Sequence, residues 1–215
     1  MFIPSSILPF LILVVLGGCV PAQEPMAVRP RAPDRATPHA KHLFYLHGRI
    51  VEEQGPQAVS VDFGPYEYSA IVRQFADSGF VVISEVRSPN TDPDIYADSV
   101  AHQVRRLVAS RAAPQNITVV GASKGAVIAM LVASRIDAPV RFVLLGNCND
   151  YVRRRCAIRL RGEVLSSYEA SDSLGGSCRS LFAQSPALSK SRELRLETGL
   201  NMASSSHPDP NGYAR

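Results

Sequence analysis

Apolar residues fall along the chain in short unbroken runs that alternate with longer amphipathic stretches. Residues 42–46, His-Leu-Phe-Tyr-Leu, form one such run, and 80–83, 117–120 and 140–145 form others. A short apolar run closed by Gly or polar residues predicts a strand buried on both faces. Between the runs, apolar positions recur at helical spacing. Tyr68, Ile71, Val72 and Phe75 place a helix over 66–78, stopped by Gly79. Val100, Val104, Leu107 and Val108 place another over 95–111. Residues 125–136, rich in Ala, Val, Ile and Leu, predict a third helix, apolar on all sides and so buried. Further strands are expected at 162–168 and 194–198, and loops at 54–65 and 89–94.

Strands alternating with helices define an α/β fold: a mostly parallel sheet of about six strands with helices on both faces. Ligands of such sheets sit at the carboxyl ends of the strands, so chemistry is expected just after each strand.

The first 41 residues do not follow this pattern. Residues 1–18 carry no charged side chain, and 7–16 are mostly apolar. That run is short for a bilayer-spanning helix of about 20 residues; it fits the apolar region of a signal peptide. Leu16-Gly17-Gly18-Cys19 resembles the lipobox of bacterial lipoproteins, a resemblance that implies cleavage before Cys19 and lipid on its sulfur. The other readings are a plain signal peptide or a signal anchor that happens to contain Cys19. Residues 19–41 hold Pro21, Pro25, Pro30, Pro33 and Pro38 and read as a solvated linker. The expectation is an exported protein of the cell envelope, periplasmic or held at a membrane by lipid.

Composition adds bounds. A chain of 215 residues, 46% hydrophobic and 20% charged, suits one globular domain, here 42–200. Its net charge of +4 is scattered except at Arg153, Arg154 and Arg155, which read as a solvated loop. No basic patch is interleaved with aromatics, so nucleic acid is not an expected partner. With Cys19 lipidated, Cys148, Cys156 and Cys178 remain. Cys148 follows one predicted strand and Cys178 the loop after the next, which makes them the preferred disulfide pair in an oxidising compartment. No Cys or His spacing suggests a zinc site, and no metal or organic cofactor is expected.

The chemistry concentrates at Gly121-Ala122-Ser123-Lys124-Gly125, between a predicted buried strand and a predicted buried helix. This is G-x-S-x-G in the strand–turn–helix context that makes a nucleophile elbow. Small residues at 121 and 125 let strand and helix pass closely and leave the Ser123 hydroxyl exposed. The bland alternative is a tight turn with Ser123 capping the helix. A serine nucleophile needs a base, and the base needs an orienting acid. Asp172, after the strand at 162–168, is the candidate acid, and Glu169 competes with it. An oxyanion hole would take backbone N–H groups from Lys124 and from Arg49 in the His47-Gly48-Arg49 loop. His47 and Gly48 read as support for that loop, with His47 bracing it rather than reacting. His102 falls mid-helix and reads as a surface or packing residue.

With these residues in view, the chain from His42 onward resembles the α/β-hydrolase superfamily. The His47-Gly48 loop, the elbow at Ser123 and the later Asp172 carry the match. The resemblance covers residues 43–200 and implies a small member without the first two strands or a large lid. It implies hydrolysis of a small-molecule ester or acyl substrate through an acyl-enzyme on Ser123.

One element of that pattern is displaced. The superfamily places its histidine after the last strand, where this chain has Asn201-Met202-Ala203. Those residues require the codons AAY-ATG-GCN. Read from the third base of the first codon they become YAT-GGC, which is His or Tyr followed by Gly. Residues 201–215 therefore read as an atypical tail, frameshifted or native. If native, His207 is the candidate base, being the one histidine after Asp172. A non-catalytic binding lipoprotein that keeps the fold is the competing reading. Lys124 acting as the base is a weaker third, since adjacent side chains at an elbow point apart.

Overall fold

The computed structural model describes residues 28–37, 39–61, 63–146, 148, 152, 154, 158–172 and 175–199. Cys19 and His207 lie outside them. Seven strands form one sheet: β1 (Val28–Arg29), β2 (Lys41–Leu46), β5 (Phe80–Ile83), β6 (Ile117–Ala122), β7 (Arg141–Leu145), β8 (Arg161–Glu169) and β9 (Ala187–Leu196). Their order is β1-β5-β2-β6-β7-β8-β9, and every neighbouring pair is parallel. A separate antiparallel hairpin joins β3 (Val59–Ser60) to β4 (Gly64–Pro65). The helices are α1 (Arg49–Gln54), α2 (Tyr68–Asp77), α3 (Pro93–Ala109), α4 (Lys124–Arg135) and α5 (Arg179–Ala183).

Alternation along β2 explains why its run is continuously apolar. Phe44 and Leu46 face the larger core with Val119, Phe142 and Leu144 of the sheet and Leu107, Ile128 and Met130 of α3 and α4. Leu43 and Tyr45 face the opposite core with Val51, Tyr68, Val72 and Ala76. Both faces of the strand are covered, so both registers must be apolar. Helix α4 is buried from Lys124 through Ala133, as its composition predicts. Helix α3 starts at Asp92, whose carboxylate accepts from the Asp94 and Ile95 N–H groups at 2.8 and 3.0 Å, with Pro93 in the first turn.

After β2 the chain travels outward to β5, whereas after β6 it travels the other way to β7. The carboxyl ends of β2 and β6 therefore flank a switch point, where connections diverge and a crevice opens. The His47-Gly48 loop and Ser123 follow these two strands directly.

Several expectations need correction. The linker does not run to residue 41 and the sheet does not begin at β2. Val28–Arg29 adds a parallel edge strand to β5, Ala32 N donates to Gln103 Oε1 at 2.8 Å and Ala36 N to Ser110 Oγ at 3.1 Å. Asp34 pairs with Arg106. Prolines hold this stretch extended, and polar side chains of α3 satisfy its backbone donors. The last strand begins at Ala187 rather than 194. Its Ser189, Lys190, Ser191 and Arg192 are exposed; an edge strand carries charge outward and hides the apolar alternation.

Cys148 and Cys178 form a disulfide, the pairing expected from their placement, with Cα atoms 5.1 Å apart. It joins the loop after β7 to the loop after β8. Glu193 of β9 reinforces the second loop: one carboxylate oxygen accepts from Cys178 N at 2.5 Å and Ser166 Oγ at 3.1 Å, the other from Ser177 Oγ at 2.7 Å. The cross-link spans a sequence separation of 30 residues, a loop whose closure is worth about 3–4 kcal/mol. Cys148→Ala/Cys178→Ala should lose about that much unfolding free energy in urea titrations, with a steeper slope because the uncrosslinked denatured chain is more expanded. Unchanged stability would show that the loops hold without it.

Candidate active site

Strand β6 ends at Ala122 and α4 begins at Lys124, so a single residue makes the turn. Ser123 adopts φ 51 and ψ −119, a positive φ that costs a non-glycine residue energy. Its N–H donates to Leu145 O at 3.0 Å, and its carbonyl accepts from Ala126 N at 2.8 Å. Its side chain makes no capping bond to α4, which removes the turn-with-cap alternative. The flanking glycines are sterically required. A β-carbon at Gly121 would run into the Gly125 carbonyl, and one at Gly125 into the Leu46 carbonyl.

The loop after β2 lies beside the serine: a β-carbon built on Gly48 would be 3.7 Å from Ser123 Cβ. Arg49 and Lys124 are the first residues of α1 and α4, so their backbone N–H groups stand at helix N-termini. His47 is fully buried. Its Nε2 accepts from Arg87 N at 3.1 Å, so Nδ1 carries the proton and donates to Gly48 O at 2.8 Å. Burial first, and the Arg87 guanidinium second, push His47 down to about 4. Both ring nitrogens are occupied, an arrangement that holds the loop and leaves none to accept a proton from Ser123.

The two carboxylates after β8 have different surroundings. Glu169 Oε2 accepts from Thr198 N at 3.0 Å and Thr198 Oγ1 at 2.7 Å. These bonds, the hydroxyl's foremost, hold it down to about 2. Glu169 thus pins the chain leaving β9. Asp172 is 7% exposed, in the turn its own N–H closes on Glu169 O at 3.1 Å. Its carboxylate packs against Gly175, where an added β-carbon would come within 2.8 Å of Oδ2. Ala122, Leu145 and Ser167 lie in one register row, so β6 and β8 run roughly 10 Å apart there.

The Lys124 side chain turns away from this gap. Its Nζ donates to Glu52 Oε1 at 2.6 Å and to Thr91 O at 2.7 Å. His102 is exposed on α3. Sequence reasoning missed Glu52 and Arg87, which are buried at 2% and 3%. The signal for Arg87 is its place just beyond the carboxyl end of β5; Glu52 carried none. Among the described residues no group of His, Cys, Asp and Glu is arranged to hold a metal ion, and no helix is long and apolar enough to cross a membrane.

No family model matches the chain, and no curated protein is similar to it in sequence. Solved structures similar to it include the esterase Pf2001 of Pyrococcus furiosus, with TM-score 0.47 and 10% identity over 74% of this chain and 75% of that one. The alpha/beta hydrolase GrgF of Penicillium sp. sh18 gives TM-score 0.47 and 8% identity over 76% and 84%. RedJ gives 0.40 and 13% over 81% and 89%. At these values the likeness carries no weight for function, which must come from this chain's own residues. The parallel sheet with helices on both faces, and the elbow between β6 and α4, fit the α/β-hydrolase-like fold that the motifs imply.

The buried neutral His47 makes stability depend on pH. Between its ordinary value of 6.5 and about 4, the unfolded chain binds a proton that the native state does not. Stability from this group is complete above the upper value and is lost as pH falls through the window, by on the order of 3 kcal/mol. NMR titration of the His47 ring should give a midpoint near 4. A midpoint at 6.5 would contradict the buried, doubly bonded geometry.

Proposed function

We propose that the protein is a serine hydrolase of α/β-hydrolase type, an esterase or acyl hydrolase that works through an acyl-enzyme on Ser123. The observation that carries this reading is the strained Ser123 backbone, φ 51, between β6 and a buried α4. A turn that wanted only a positive φ would take glycine. The hydroxyl attacks the substrate carbonyl while a base takes its proton. The N–H groups of Arg49 and Lys124 receive the developing oxyanion. The base returns the proton to the leaving alcohol, and water then cleaves the acyl-enzyme by the same route. Asp172 orients the base, because the Glu169 carboxylate is already committed to Thr198.

For the base we propose His207, or, if the gene's frame shifts after Leu200, the histidine that the shifted codons supply there. Sequencing the gene from codon 195 onward separates the two. For location we propose the cell envelope, with lipid on Cys19; a Cys19→Ser variant should then leave the membrane fraction.

The competing reading, a binding protein that keeps the fold, draws on the histidines. Of the five in the chain, His42 and His47 are buried and His39 and His102 are exposed away from the elbow. A fluorophosphonate probe decides between them. Wild type should be labelled at Ser123 and should hydrolyse short p-nitrophenyl esters; Ser123→Ala should not be labelled and should lose about 10³-fold or more of the hydrolysis. A folded, unlabelled wild type would favour binding.

A further inference from the structure

The mechanism above leaves three buried charged side chains unused: Glu52, Arg87 and Lys124, whose side chains are 1%, 1% and 6% exposed. Buried ions are costly to desolvate, and a hydrophobic trio of similar volume would be as stable or more so. Their arrangement points to a role in position. Glu52 Oε1 accepts from Lys124 Nζ at 2.6 Å and from Thr91 N at 3.0 Å, and Oε2 accepts from Arg87 Nε at 3.1 Å. Arg87 passes the connection on, with Nη2 donating to His47 O at 2.5 Å and its backbone N–H donating to His47 Nε2 at 3.1 Å. His47 ends the path by donating from Nδ1 to Gly48 O at 2.8 Å.

These contacts run from Lys124, one proposed oxyanion donor, to Gly48, the residue before the other. Lys124 directly follows the nucleophile. Arg49 directly follows Gly48 and lies one helical turn before Glu52 on α1. We propose that Glu52 is the positioning residue of the oxyanion hole: its carboxylate ties the elbow to the Gly48-Arg49 loop and holds the two N–H donors in register. This rests on the hydrolase reading. Donors fixed before the substrate arrives stabilise the transition state without reorganising. The tie therefore acts on kcat, because the bound ester's neutral carbonyl makes little demand on the donors.

The test uses the full chain, a fluorophosphonate and p-nitrophenyl acetate. Glu52→Gln removes the hub's charge, and Lys124→Met cuts only the link to the elbow while leaving the backbone N–H in place. Both are compared with wild type per folded molecule, with circular dichroism and thermal melts as the folding control. The expected result is a fall in labelling rate and kcat of about tenfold for Lys124→Met and 10²–10³-fold for Glu52→Gln. KM should stay within about threefold in both. If Glu52→Gln does not fold, Lys124→Met decides alone. A labelled, active wild type whose folded variants keep kcat, or lose only KM, overturns the positioning role and leaves the hydrolase intact. A folded wild type that is neither labelled nor active overturns the hydrolase reading and this inference with it.

Discussion

Helix α4 starts so close to the end of β2 that the carbonyls of Leu46 and His47 leave no room for a side chain at residue 125. The helix cannot back away, because Val127, Ile128, Met130 and Val132 are all fully buried. Each such side chain contributes about 1.5–3 kcal/mol by leaving water, against about 1–3 kcal/mol for one residue in a strained backbone region. Packing along α4 therefore outweighs the strain at Ser123 and fixes it there. The elbow is a consequence of where the helix must lie. It sits at the switch point of the sheet because that is where β2 and β6 run side by side and their connections part.

The same crossing explains how charge is distributed at this end of the molecule. Polar groups near the elbow cannot reach water freely, so each needs a partner. Histidine 47 stays neutral between Arg87 N and Gly48 O. Glu52 takes both nearby cations. Glu169 is engaged by Thr198 at Oε2 and by the Ser171 hydroxyl at Oε1, which sets its surroundings apart from those of Asp172. Two carboxylates three residues apart thus have different surroundings: Glu169 anchors the chain after β9, which leaves Asp172 for the acid's part in the proposed mechanism.

What could be read from the sequence was whatever repeats locally. The runs at 42–46 and 117–120 had to be apolar on both faces, and strands β2 and β6 are. The glycines of the elbow could be read because steric need leaves a fixed spacing. The Cys148–Cys178 pair could be read from strand order. Contacts without a local period were hidden. Glu52 meets Lys124 across 72 positions, and nothing in the pattern of α1 marks it for burial. Residues 28–37 looked like a spacer because prolines suit both a free chain and one laid extended along α3. Strand β9 looked short because its exposed side carries Lys190 and Arg192, as an edge should.

The base of the proposed mechanism is constrained by the point where the chain leaves the sheet. Leu196 lies in register with Glu169, so β9 delivers the chain to the site end of the sheet, beside Asp172 and three strand spacings, roughly 14 Å, from the elbow. An extended chain gains about 3.3 Å per residue, so either His207 or a histidine encoded by the shifted frame just after Leu200 can cover the distance. Anchoring distinguishes the two. Thr198 is held by Glu169 through both its N–H and its hydroxyl. A residue three positions further on inherits that fixed origin, whereas one nine positions further on must be held by contacts of its own. The Glu169–Thr198 pin would serve the proposed mechanism if the histidine follows it closely, and would only terminate the strand if His207 is the proposed base.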